Sequence, residues 1–178
     1  MMRVGFSSCA ALALAIIATP AAAKVASSSD SGFAVSHTAS VKAPPATVWA
    51  ALLTPGKWWN GEHSWSQDAA NLTLAAKPGG CFCETLPNGG FAEHARVIFA
   101  APEKSLRLSG ALGPLQGEAL TGTLTITLAP ASGGTILTFD YVVGGYARFP
   151  HTSIAAPVDG VIGEQHARLV RFVETGKP

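Results

Sequence analysis

The sequence predicts an α+β domain in which a curved antiparallel sheet of about seven strands wraps one long C-terminal helix. Three observations lead there: period-2 alternation from Phe33 to Val41, short apolar runs broken by Gly, Pro and Asn between Asn71 and Val143, and one long helical pattern from Ile154 to Thr175. Strands that succeed one another without intervening helices argue for a meander and against βαβ units.

Phe33, Val35, His37, Ala39 and Val41 share one side of the first strand. Ala43-Pro44-Pro45 ends it, and Pro45 suits the first position of a helix that carries Val48, Trp49, Leu52 and Leu53. Thr54-Pro55-Gly56 stops that helix. Lys57 to Asn60 reads as a second short helical turn, followed by a polar loop from Gly61 to Asp68. Further strands are expected at 72–76, 81–86, 91–99, 105–109, 121–128 and 135–143, with Pro87-Asn88-Gly89-Gly90 as a turn and 110–117 as a loop or irregular edge. In the last helix Ile154, Val158, Val161, Ile162, Gln165, Leu169 and Phe172 form one stripe, while Asp159, Glu164, His166 and Arg171 fall elsewhere. Pro157 asks to be in its first turn, and Gly176 supplies a stop.

With 178 residues, 48% hydrophobic and 13% charged, the chain has apolar material for the core of one domain. A net charge of +1 with no run of like sign excludes a nucleic-acid footprint and a polybasic membrane anchor. Met1-Met2-Arg3, the apolar stretch from Val4 to Thr19 and Ala21-Ala22-Ala23 have the parts of a secretory signal peptide over residues 1–23. Cleavage after Ala23 would leave a periplasmic or secreted protein without a stable membrane anchor. Residues 24–32 read as a flexible leader and 33–176 as the domain. Cys81 and Cys83 then remain in an oxidising compartment. In an extended strand their Cβ atoms lie too far apart for a relaxed bridge, so they read as two small buried thiols, a strained disulfide being the alternative if Pro78-Gly79-Gly80 bends the chain.

The run Ala43-Pro44-Pro45-Ala46-Thr47-Val48-Trp49-Ala50-Ala51-Leu52-Leu53-Thr54-Pro55 with Trp58-Trp59 resembles the N-terminal signature of the SRPBCC superfamily, the START-like or Bet v 1-like domains. Leu106 to Gln116, Gly134-Thr135 with Tyr141, and Ala155-Ala156-Pro157-Val158-Asp159 are similar to an exported subgroup of the branch related to the activator of Hsp90 ATPase. The resemblance covers 33–173 and implies a helix-grip fold with a deep apolar pocket under the long helix. It implies no single activity, because the superfamily includes lipid carriers, hormone receptors, aromatic cyclases and chaperone partners.

The expected function is therefore an exported binding protein for a small hydrophobic ligand such as a lipid, sterol or aromatic compound. A polyketide-cyclase-like enzyme is the first alternative, and a protein-interaction module of the Hsp90-activator type is the second. Trp59 and Trp65, near the short helices, are candidate ligand contacts, together with His37, Phe99, Tyr141, Val161 and Gln165. His37, Glu84, His94 and Asp140 are weak candidates for acid/base work, which requires that two of these or Glu93 converge inside the pocket. Each reads first as an ordinary core or surface residue. His37, His63, His94, His151, His166, Cys81 and Cys83 have no zinc-site spacing, so no metal and no cofactor is expected.

Overall fold

A computed structural model describes Met1 and residues 25–178. The expected signal peptide, Met1 apart, lies outside the described residues. Eight strands form one open antiparallel sheet: β1 (Val25–Ser29), β2 (Gly32–Val41), β3 (Leu72–Leu74), β4 (Cys81–Thr85), β5 (Phe91–Ala101), β6 (Ser105–Ser109), β7 (Ala119–Ala131) and β8 (Gly134–Tyr146). Their spatial order is β1-β2-β8-β7-β6-β5-β4-β3. Helix α1 (Pro45–Leu52) follows β2, and helix α2 (His151–Thr175) closes the chain. The second short helical element is a single 3-10 turn at Pro55–Lys57, earlier than expected because Trp58 already leaves helical geometry.

The count is one strand above the expected seven because Val25–Ser29, expected as a leader, pairs antiparallel with β2. Its serines gave no apolar alternation to read, and its pairing is backbone to backbone. β2 and β8 are in continuous register from Gly32↔Gly144 to Val41↔Thr135, and β7 and β8 from Ala119↔Tyr146 to Ala131↔Gly134. This regular half of the sheet buries Val35, Val41, Leu124, Ile126, Leu128, Leu137, Phe139, Tyr141 and Val143 on one face. The other half is irregular. β5 carries one extra residue, His94, opposite the Phe82/Cys83 step of β4, and a second, Ile98, opposite the Leu108/Arg107 step of β6. Each bulge bends the strand and reverses the alternation beyond it.

α2 packs on β2, β1 and α1. It starts three residues before the expected Ile154, so Pro157 stands in the second turn, where its ring costs only the bond to the Ser153 carbonyl near the helix start. Gly176 ends the helix as expected, with φ of 76° and its N–H donating to the Phe172 carbonyl at 2.9 Å. The face buried against the sheet carries Ala155, Asp159, Ile162, His166 and Leu169, which differs from the expected stripe by including two ionisable residues. Both have partners. Asp159 Oδ1 meets His37 Nε2 of β2 at 2.9 Å, and His166 Nε2 donates to the Leu137 carbonyl of β8 at 3.1 Å. α2 comes close enough to β2 here that a Cβ on Gly163 would lie 2.6 Å from the His37 ring.

Burial first, and then the nearby His37, hold the His166 imidazole below its ordinary value of 6.5, while its bond to the Leu137 carbonyl opposes them. The unfolded chain therefore takes up this proton more readily than the folded one, and stability is lost as pH falls below 6.5 toward the depressed folded value. The groups facing the ring are His37 from β2 and Phe139 from β8, and His37 is itself bonded to Asp159 of α2. Thermal unfolding followed from pH 8 to pH 5 is expected to show a falling Tm. His166→Gln should flatten that part of the curve.

Candidate functional site

The side of α2 next to its sheet-facing stripe faces a cavity of about 260 Å³. Ile154, Pro157, Val158, Val161 and Ile162 form its helical wall. Phe82 of β4 and His94 of β5 form the opposite wall, so the irregular half of the sheet must curl back toward the helix that packs on the regular half. Leu112 to Leu115 close one side, and Trp59 with the Glu62–Trp65 segment closes the other.

The aromatic side is built by the segment after α1. Trp58 is buried with its Nε1–H donating to the Ala51 carbonyl at 3.0 Å, and it turns the chain so that Trp59 enters the cavity wall. Trp59 packs on Phe82 at 5.1 Å between ring centroids, and Phe82 packs on His94 at 5.0 Å. The Trp59 Nε1–H is used on the His63 carbonyl at 3.1 Å. Three side chains of α2 hold this segment: Gln165 Oε1 accepts from the Asn60 N–H at 2.8 Å, Glu164 Oε1 accepts from Asn60 Nδ2 at 2.7 Å, and Arg168 Nε donates to the Trp58 carbonyl at 2.8 Å.

Beyond it, the chain is tied to the sheet by one buried carboxylate. Glu84 is 1% exposed and accepts from the Trp65 N–H at 3.0 Å, the Ser66 N–H at 2.6 Å and His94 Nε2 at 2.8 Å. Burial alone would raise this carboxyl. The hydrogen bonds it accepts from Ser66, the Trp65 backbone and His94 together outweigh it and hold the group below its ordinary value of 4.5. Glu84 is thus an anion that accepts only, and its partner nitrogen on His94 must carry the proton.

The opposite lip is fixed by Tyr141. Burial pushes its phenol up to about 12, so it stays protonated, donating to the Gly110 carbonyl and accepting from the Leu112 N–H, both at 3.0 Å. A Cβ on Gly122 would stand 2.5 Å from the Tyr141 hydroxyl, so this contact needs glycine there.

Of the residues singled out in the sequence, Trp59, Trp65, Val161 and His94 line the cavity, and Glu84 stands directly behind His94. The others lie elsewhere. His37 is under α2 on Asp159, Gln165 is sealed against Asn60, and Tyr141 is in the core behind the lip. Phe99, 47% exposed, sits on the outer face with the Arg107 guanidinium 5.4 Å from its ring, because the bulge at Ile98 turns it outward. Asp140 is also outward, bonded to Ser36, and Glu93 pairs with Arg96 at 2.8 Å on the surface. The cavity is also lined by residues that were not among the candidates, chiefly Phe82, Leu112 to Leu115, the Glu62–Ser64 segment and the neighbours of Val161 on α2. Phe82 had a signal, since it alternates with Glu84, whereas the loop had none.

Cys81 and Cys83 form a disulfide, against the expectation of two thiols. Opposite the His94 bulge β4 is compressed, and the two Cα atoms are 5.4 Å apart, within bridging range and shorter than two fully extended residues span. Among the described residues, the one cluster of three ligand-type side chains is Cys81, Cys83 and Glu93, and both of its sulfurs are committed to that bond. No described helix is long and apolar enough to cross a membrane.

Glu84→Ala would leave His94 and two amide groups without their buried partner and is expected to cost about 3 kcal/mol in urea unfolding. Amide exchange at Trp65 and Ser66 should accelerate in the same variant. Stability within about 0.5 kcal/mol of the parent would show that the carboxylate does not hold the segment.

Comparison with known proteins agrees with this architecture. A protein from Mesorhizobium loti is 17% identical with a TM-score of 0.57, over 82% of this chain and 99% of its own. An uncharacterised protein from Rhizobium leguminosarum is 22% identical with a TM-score of 0.57, over 79% and 93%. The Aha1 dimer from Colwellia psychrerythraea supplies a third similar structure, 18% identical with a TM-score of 0.55, over 82% and 98%. At these identities the likeness is one of fold. No curated protein matches the chain in sequence. The family described as polyketide cyclase / dehydrase and lipid transport matches residues 32–174, with the helix-grip architecture in place over the same span, and the chain therefore belongs to that family within the SRPBCC superfamily.

Proposed function

We propose that this protein is an exported carrier or receptor for a small hydrophobic molecule, bound between α2 and the Trp59–Phe82–His94 wall. The observation that carries this reading is the cavity itself. About 260 Å³ of space is lined by Ile154, Val158, Val161, Ile162, Leu112, Leu115 and aromatic rings, with its polar groups at the rim or on His94. A ligand burying about 250 Å² of apolar surface there would gain about 6 kcal/mol before ordering costs are subtracted. Trp65, 52% exposed at the rim, offers a ring that can close over the occupant.

Export is part of the proposal. It rests on the signal-peptide pattern of residues 1–23 and on the Cys81–Cys83 disulfide, which suits an oxidising compartment. Intact-mass measurement of protein recovered from the periplasm or medium should give a chain beginning at Lys24. Full-length protein confined to the cytoplasm would end this part of the reading.

A second reading, catalysis in the manner of a polyketide cyclase, is favoured by the His94–Glu84 pair, a histidine in the cavity wall oriented by a buried carboxylate. Turnover by the intact protein, lost in His94→Gln with ligand binding retained, would establish it over the carrier.

Val161→Trp fills the cavity from a half-buried position on α2, away from the contacts that hold the helix on the sheet. It is expected to fold, with Tm near the parent value. Binding of a fluorescent apolar probe such as N-phenyl-1-naphthylamine should weaken at least tenfold. Unchanged probe affinity would place the binding site elsewhere.

A further inference from the structure

The polar atoms around the cavity differ in what they have left to offer. Trp59 Nε1 is bonded to the His63 carbonyl, the Ser64 hydroxyl to the Gly61 carbonyl, and the Trp65 N–H to Glu84. Glu62 and His63 are exposed at the rim, where water competes for them. His94 differs from all of these. Its Nε2 is committed to Glu84 at 2.8 Å, while Nδ1 has no hydrogen-bond partner among the described residues. Nor is Nδ1 among the sealed, unpartnered atoms, which are His151 Nε2, Asp159 Oδ2 and Gln165 Nε2. Among the described residues it is therefore an unpartnered ring nitrogen that is not sealed, on a side chain that lines the cavity. His94 is otherwise buried, and the space it borders is the cavity.

We propose that His94 Nδ1 is the polar anchor of the cavity, and that the molecule bound there is a flat apolar compound with a hydroxyl, phenolic or enolic, that donates to this nitrogen. The inference rests on the hydrophobic-ligand reading above and adds to it the chemical class of ligand. Because the Glu84 carboxylate can only accept, it keeps a proton on Nε2, and when the ring carries that single proton Nδ1 is an acceptor. The Phe82 ring packs on the imidazole and the helical wall of the cavity is apolar, so neither offers it a donor. An occupant with no donor would cover Nδ1 and leave it without a hydrogen bond. Sites built to pair with a hydroxyl reject analogues lacking it far more strongly than apolar pockets discriminate by size.

The test compares 2-naphthol with naphthalene, at about pH 8, above the ordinary imidazole range and below the phenol range. Binding is followed by tryptophan quenching on the parent protein and on His94→Phe. The expected result is at least tenfold tighter binding of 2-naphthol by the parent and a preference reduced to about twofold or less in His94→Phe, with naphthalene still bound. Equal affinities in the parent, or a preference surviving the substitution, would overturn the inference while leaving the hydrophobic cavity intact. If the parent binds neither compound, the ligand-binding reading itself falls. Should His94→Phe not fold, histidine ¹⁵N spectra of the parent decide: the His94 Nδ1 resonance should move with 2-naphthol and stay with naphthalene, and an unmoved resonance with bound 2-naphthol refutes the proposal.

Discussion

A single buried carboxylate joins the parts of this molecule that form its cavity. Glu84 takes its hydrogen bonds from two consecutive amides of the Trp65–Ser66 segment and from His94 on the neighbouring strand. A charge in so buried a place is tolerated only when its lone pairs are filled, and here three donors fill them. The arrangement works in both directions. The sheet gains a charged group it can keep inside, and a loop that would otherwise have no apolar reason to lie on the sheet is held there. Trp59 and Trp65 bracket that loop, so the aromatic side of the cavity inherits its position from the carboxylate.

The bulge at His94 makes this possible. In an unbroken ladder His94 and Glu93 would point to opposite faces, with His94 on the face opposite Ala95. The extra residue puts His94 and Ala95 both inward, brings the imidazole beside Glu84 and Phe82, and leaves Glu93 outside with Arg96. The same irregularity accompanies the compression of β4 that brings Cys81 and Cys83 within bonding reach. One added backbone residue thus relates the cavity's polar anchor, its aromatic wall and the covalent link on the outer face.

This explains which features were legible in the sequence. β2, β7 and β8 run in continuous register, and their alternation of apolar and polar residues maps directly onto inner and outer faces. The meander, the terminal helix and the cap at Gly176 are local patterns, readable from Gly, Pro and apolar spacing. β5 is not local in that sense. Its two bulges reverse the parity of Phe99 and His94, and nothing in the residues themselves announces an inserted backbone unit. The leader was misread for a related reason: β1 is held by main-chain bonds to β2, and its serines carry no hydrophobic signal. Trp59 and Trp65 were recognisable because aromatic residues clustered in a short polar segment have few other uses. His37, Gln165 and Tyr141 were equally conspicuous, but each is used up in holding elements together.

The stripe on α2 shows how a hydrophobic pattern can mark function instead of packing. Three branched aliphatic residues, Ile154, Val158 and Val161, are only half-buried, because they face the cavity. The face pressed on the sheet includes Asp159 and His166, made tolerable by His37 and by a backbone carbonyl. A helix selected only for adhesion to the sheet would have no use for Ile154, Val158 and Val161 beside that face. A sealed void of about 260 Å³ in a protein core would cost about 6 kcal/mol at about 24 cal/mol per Å³. Keeping that volume open, at a rim where Trp65 and Glu62 meet solvent, is a burden that folding alone does not explain. The apolar occupant proposed above would remove it, and the free energy that packing leaves uncollected on this side of α2 would become free energy of binding.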